Sequence, residues 1–107
     1  MNVKTNNEIK SCIALAALEA VIDPEIGLNI VDLGLILGLD FDESKQNINV
    51  TMTLTTPFCP LGETISGAVK RVLENTFLHT VVLIDLNFDQ PWNHGRISEE
   101  GLKFLNS

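Results

Sequence analysis

Ile48-Asn49-Val50-Thr51-Met52-Thr53-Leu54-Thr55-Thr56 alternates without a break: Ile48, Val50, Met52 and Leu54 fall on one side, Asn49, Thr51, Thr53 and Thr55 on the other. A period of two over this length predicts a half-buried β-strand. Upstream, residues 33–42 repeat the pattern, with Leu33, Leu35, Leu37, Leu39 and Phe41 against Gly34, Ile36, Gly38, Asp40 and Asp42. Downstream, residues 81–89 set Val82, Ile84, Leu86 and Phe88 against Val81, Leu83, Asp85, Asn87 and Asp89. Three such runs predict a sheet that is greasy on one face and largely polar on the other, so helices should cover the greasy face alone.

The connections refine that picture. A polar loop over 43–47 suits an antiparallel hairpin between the first two strands. Between the second and third strands, residues 62–78 predict a helix whose buried stripe is Ile65, Ala68, Val69, Val72, Leu73 and Phe77. A strand–helix–strand connection normally returns parallel and right-handed. Ahead of the sheet, residues 6–22 predict a first helix. Thr5 and Glu8 form its capping box, and Ile9, Ile13, Ala16 and Ala20 recur at helical spacing. Asp23-Pro24 ends it, because the residue before proline is pushed out of the α region. A last short helix starts at Ser98, with Glu99 and Glu100 at the positive end of its dipole and Ile97 and Leu102 spaced for a hydrophobic staple. The expected architecture is a two-layer α/β domain of order α-β-β-α-β-α, a three-stranded mixed sheet with helices on one face, spanning residues 1–107.

Composition narrows the function. Seven Lys plus Arg against 14 Asp plus Glu leave a net charge of −7 over 107 residues. That balance argues against nucleic acid or an anionic membrane as a main partner, since both demand clustered cations. No apolar run approaches the roughly 20 residues of a membrane span. The first 22 residues, with Glu8 and Glu19 among them, make a poor secretory signal, so a cytoplasmic protein is expected. Two cysteines, Cys12 and Cys59, exclude a disulfide-dense scaffold and a closed metal site made from one chain's thiolates.

Thr55-Thr56-Pro57-Phe58-Cys59-Pro60-Leu61-Gly62 is the segment most suited to chemistry. It joins a strand end to a helix start, and two prolines pin the backbone around one thiol. With Pro60 in the first helical turn, Cys59 sits at or beside the N-cap, where the dipole and free N–H groups favour thiolate. A thiolate serves a metal or an electrophile equally; the plainer reading is a small buried hydrophobe in a tight turn. Thr55 and Thr56 add hydroxyls at the same strand end. Cys12, inside an apolar helix, reads as core filler.

Asp23, Glu25 and Asp32 are acidic residues around the exit of the first helix. Asp23 and Glu25 fit a Pro-centred turn in which Asp23 accepts backbone N–H bonds. Asp32 interrupts Ile30-Val31 and Leu33, so its charge must find donors, as a structural cap or as a site residue. Trp92, the only tryptophan, lies in a loop, where it either caps the sheet edge or meets a partner. A Cys–His–acid enzyme would need His94 or His79 to fold against Cys59. Phosphate-loop, Cys-x-x-Cys, His-Glu-x-x-His and Gly-x-Ser-x-Gly motifs are absent from the sequence.

Two long motifs, residues 23–36 (Asp23-Pro24-Glu25-Ile26-Gly27-Leu28-Asn29-Ile30-Val31-Asp32-Leu33-Gly34-Leu35-Ile36) and 52–60 (Met52-Thr53-Leu54-Thr55-Thr56-Pro57-Phe58-Cys59-Pro60), resemble the metal–sulfur cluster assembly family that includes SufT and the PaaD-like proteins. Pro91-Trp92 and Ser98-Glu99-Glu100-Gly101 extend the likeness over nearly the whole chain. The resemblance implies a small α/β domain that acts in iron–sulfur cluster maturation and delivers or targets clusters to recipient apoproteins. It makes Cys59 the key residue, lined by Asp23, Glu25 and Asp32, and implies a non-enzymatic role. One thiolate per chain cannot complete the usual four-thiolate shell of a cluster, so a second chain, a small thiol or a carboxylate such as Asp32 would have to finish it. A homodimer or partner complex follows as an expectation, with the polar sheet face or the Trp92 loop as docking surface.

Overall fold

The computed structural model describes residues 3–55, 62–89 and 92–106. The elements run β1 (Lys4–Thr5), α1 (Glu8–Leu18), β2 (Ile36–Asp42), β3 (Asn47–Met52), α2 (Gly62–Thr76), β4 (Val81–Leu86) and α3 (Glu99–Leu105). A single turn of 3₁₀ helix, His94–Arg96, precedes α3. Among the described residues the sheet has four strands in the order β1-β2-β3-β4, not three. The additional strand is β1, which pairs parallel to β2 through Lys4↔Gly38 and Thr5↔Leu39. Two residues are too few to show a period. Asn6 then continues the ladder with its side chain: its Nδ2 donates to Phe41 O and its Oδ1 accepts from Phe41 N–H, both at 2.9 Å.

The other pairings match the sequence reading. β2 and β3 are antiparallel across the 43–46 turn, and β3 and β4 are parallel across α2. Ile48, Val50 and Met52 of β3 are buried, as are Leu39 and Phe41 of β2 and Val82 of β4. β2 departs from a strict period of two. The register slips between Ile36↔Met52 and Gly38↔Thr51, leaving Leu37 as a bulged residue. Ile36 thereby joins Leu39 and Phe41 on the buried face, although its even number placed it opposite.

α2 buries Ile65, Val69 and Leu73, with Ala68, Val72 and Phe77 partly buried against the same core. This is the expected stripe. α1 is shorter than expected and turned. It ends at Leu18, four residues before Ile22, and its N-cap is Asn7, whose side chain accepts from Lys10 N–H at 3.0 Å. Thr5 instead holds Asn7 N–H with its hydroxyl at 3.2 Å. The inward face is Ser11, Ala14 and Leu18, whereas Ile9 (77% exposed), Ile13 (48%), Ala16 and Ala20 face outward. Cys12 lies with them and is exposed, which corrects its reading as core filler.

Residues 19–35 form a compacted connection rather than the start of a strand. Val21, Leu28, Ile30, Val31, Leu33 and Leu35 are all buried there. The backbone closes on itself: Ile30 N–H donates to Val21 O at 3.0 Å, Leu33 N–H to Asn29 O at 3.1 Å and Leu35 N–H to Ile30 O at 3.1 Å. At the other end of the chain, Ser98 caps α3 by accepting from Gly101 N–H at 3.0 Å. Ile97 is buried beside that cap, but Leu102 is exposed.

Candidate functional site

β3 leaves the sheet at Met52 and α2 begins at Gly62. Thr56 and Cys59, the centre of the expected site, lie outside the described residues, so the surroundings define the setting. On the strand side, Thr53 and Leu54 are buried and Thr55 is half-buried. Thr53 N–H donates to Leu35 O at 2.9 Å, which ties this strand exit to the 19–35 connection. On the helix side, Glu63 is exposed in the first turn of α2.

Asp23 is 1% exposed. Its Oδ1 accepts from Glu25 N–H at 2.9 Å, and its carbonyl accepts from Gly27 N–H at 2.7 Å, which closes the turn around Pro24. A glycine suits the end of that turn, where φ is +81°. Glu25 itself projects into solvent.

Asp32 has both carboxylate oxygens engaged. Oδ2 accepts from Asn29 Nδ2 at 2.7 Å, and Oδ1 accepts from Ser98 Oγ at 2.7 Å. Its carbonyl takes Ser98 N–H at 2.8 Å. The same Ser98 hydroxyl oxygen caps α3, so the charge of Asp32 is spent on joining the 19–35 connection to the last helix. Three further features reinforce this seam. Trp92 Nε1 donates to Leu33 O at 2.6 Å, and Arg96 Nε donates to Gly34 O at 2.9 Å. Gly34 has φ +75°, and a Cβ there would stand 2.5 Å from Arg96 O, so only glycine allows the approach. The hydrogen bonds thus bind residues 32–34 to 92–98 across some sixty positions of chain.

The structure therefore brings Asp32 and Trp92 together at one seam, with Thr53 and Thr55 leaving the sheet beside the same connection through the Thr53–Leu35 bond. It places Asp23 and Glu25 in the separate Pro24 turn. Sequence reasoning passed over Asn29 and Arg96. The signal for Arg96 was available: it is the sole Lys or Arg between Arg71 and Lys103.

Among the described residues, no group of three or more His, Cys, Asp and Glu side chains converges as a metal site. His79 follows α2 with φ +63° and is exposed. It adjoins the start of β4, where Val81 N–H bonds Gln46 O. The Met52 end of β3 lies about 17 Å from its Asn47 end at the usual rise per strand residue, so His79 stands at the far end of the sheet from the β3–α2 connection. That far end also holds a hollow of about 240 Å³ lined by Lys10, Phe41, Gln46, Phe77 and Thr80.

Comparison with known proteins agrees with this architecture. The chain belongs to the family described as "Iron-sulfur cluster assembly protein", whose profile matches residues 14–85. It is 41% identical over 85 residues to an "Fe-S protein maturation auxiliary factor" of Porphyromonas gingivalis, covering 79% of this chain and 80% of that protein. It is 37% identical over 84 residues to the "Fe-S protein maturation auxiliary factor YitW" of Bacillus subtilis, covering 78% of this chain and 81% of that one. Among solved structures, a domain of unknown function from Bacillus anthracis superposes with a TM-score of 0.82 at 33% identity, covering 94% of this chain and 98% of its own.

Proposed function

We propose that this chain is an iron–sulfur maturation factor that helps deliver or target clusters to recipient apoproteins, with Cys59 gripping the cargo transiently. The observation that carries the reading is the pairing of family membership with the position of Cys59, three residues before α2 begins. A helix of 15 residues follows that position in the sequence, and a cysteine at a helix start is favoured as thiolate, the form that binds iron. The names of the relatives point to a helper rather than a catalyst.

The two oxygens of Asp32 are committed to Asn29 and Ser98, so Asp32 serves the reading as part of the frame around the β3–α2 connection. Asp23 shapes the separate Pro24 turn, which leaves Glu25 in solvent, and Thr55 and Thr56 offer hydroxyls in the sequence just ahead of the thiol. The remaining ligands come from outside this chain, from a second copy in a homodimer, assembly machinery or small thiols, because ordinary clusters take four and Cys59 supplies one. Incomplete ligation suits a carrier that must release its cargo. The protein works in the cytoplasm as one domain in this reading; among the described residues no helix is long and apolar enough to cross a membrane.

Anaerobic reconstitution with iron and sulfide tests it. Wild type is expected to gain visible charge-transfer absorbance, Cys59→Ser to lose most of it, and Cys12→Ser to retain it. Cys12 belongs in the comparison because it is an exposed thiol able to bind iron by itself. Absorbance that survives Cys59→Ser unchanged overturns the proposal.

A further inference from the structure

β4 is the last strand of the sheet, and among the described residues its far side has no neighbouring strand. Two bonds fix the direction of its backbone groups: Val81 N–H donates to Gln46 O at 3.0 Å and Asn87 N–H to Met52 O at 2.9 Å. Residues 81, 83, 85 and 87 therefore turn their peptide groups toward β3, and Val82, Ile84 and Leu86 turn theirs outward. Glu74 of α2 takes the first of these, its Oε2 accepting from Val82 N–H at 3.3 Å. Beyond Glu74, the outward groups of Ile84 and Leu86 face no strand among the described residues. The side chains around them are apolar and uncovered: Val81 is 53% exposed, Leu83 48% and Leu86 40%.

We propose that this edge binds an extended segment of another protein by strand addition, the segment alternating aliphatic residues with Lys or Arg. The backbone of Ile84 and Leu86 supplies the hydrogen bonds, and the exposed aliphatics supply apolar area. Charge selects the occupant. Residues 81–89 carry Asp85 and Asp89 and no cation, and Glu74 adds a third acid at the strand's start. Two copies joined antiparallel through β4 would gather both sets of these acids on one ribbon. In the register centred on Asp85 the two Asp85 side chains would stand directly opposite, where like charges are destabilising. A cationic segment turns each repulsion into an attraction, and the chain's net charge of −7 draws it in from a distance. Acids on an exposed edge guard against self-association; here the same acids choose the partner. The inference goes beyond the maturation role and does not require cargo at Cys59.

The probe is a short capped peptide alternating valine and lysine, titrated into the isotope-labelled full chain and followed by amide NMR. Shift changes are expected at residues 82–87 and at Glu74. A valine–glutamate peptide should bind roughly tenfold more weakly or less. Leu86→Pro removes an outward N–H at a position where an edge tolerates proline, and should abolish binding. Asp85→Lys, which leaves the backbone intact, should narrow the preference between the two peptides, and Asp85→Lys with Asp89→Lys should reverse it. Cys59→Ser should leave the titration unchanged, which separates this proposal from the cargo reading. Absence of binding, equal binding of both peptides, shifts lying elsewhere, or self-association mapped to β4 would each overturn it.

Discussion

α1 and α2 pack against each other and share one core, yet they reach it by different means. α2 drives large side chains inward at regular spacing, with Ile65, Val69 and Leu73 buried and Glu63, Lys70 and Arg71 in solvent. Its orientation follows from the hydrophobic effect alone, because only one rotation hides the stripe. α1 reads Glu8-Ile9-Lys10-Ser11-Cys12-Ile13-Ala14-Leu15-Ala16-Ala17-Leu18, which is apolar nearly all round. Its rotation is set by polar tethers at its start: the two Asn6–Phe41 bonds, the Asn7 cap and the Lys10–Glu43 ion pair at 2.9 Å. Small inward residues, Ser11 and Ala14, then let it approach closely, and Ile9 and Ile13 are left outside. Burial positions a helix by itself when its pattern is one-sided; otherwise a few hydrogen bonds decide.

The largest expected difference is between inward and outward apolar residues. Leu73→Ala leaves a cavity under α2 and should cost about 2–5 kcal/mol in urea unfolding. Ile13→Ala removes the same number of carbons from a surface position and should cost less than about 1 kcal/mol. Equal losses would break the comparison and would mean that the outer face of α1 is covered in solution.

A smaller effect tests the tethers. Asn6→Ala leaves Phe41's N–H and carbonyl without their partners and should cost about 1–3 kcal/mol. Lys10→Ala should cost about 1 kcal/mol or less, since its ion pair with Glu43 is largely in water. Hydrogen exchange should rise in the first turn of α1 in Asn6→Ala while α2 keeps its protection. If α2 loosens equally, the two helices are not held independently.

The same contrast explains what could be read in advance. Three strands and α2 were legible because periods of two and 3.6 report burial directly. β1 was not, since two residues carry no period, and the bulge at Leu37 reversed the parity of Ile36. Leu33 and Leu35 imitated a strand because Gly34, with φ +75°, hides a turn between two buried leucines. Cys12 misled with the helix face it belongs to. At the site, Asp32 was recognised as a charge in need of donors; that Ser98 and Asn29 supply them depends on a contact across 66 residues in one case. No local pattern encodes such a pairing, nor that of Arg96 with Gly34.

The weakest tether makes the finest test. Asp42 begins the hairpin turn next to Glu43, the residue that anchors Lys10 of α1. Its Oδ1 accepts from Ser44 Oγ at 2.8 Å and from Lys45 N–H at 3.1 Å, and the Ser44 bond above all lowers its pKa below the ordinary aspartate value. A lowered folded-state pKa stabilises the fold above the unfolded value and loses that contribution as pH falls through the folded one. The window is therefore the acid range below ordinary aspartate titration. In that range hydrogen-exchange protection should weaken first in the 42–46 turn and the start of α1, whose ion pair it supports, while α2 remains protected by Leu73 and Val69. Ser44→Ala should raise the Asp42 midpoint in an NMR titration and bring this loosening to higher pH. A midpoint unmoved by Ser44→Ala, or an α2 that opens with the turn, would show that acid acts elsewhere in the fold.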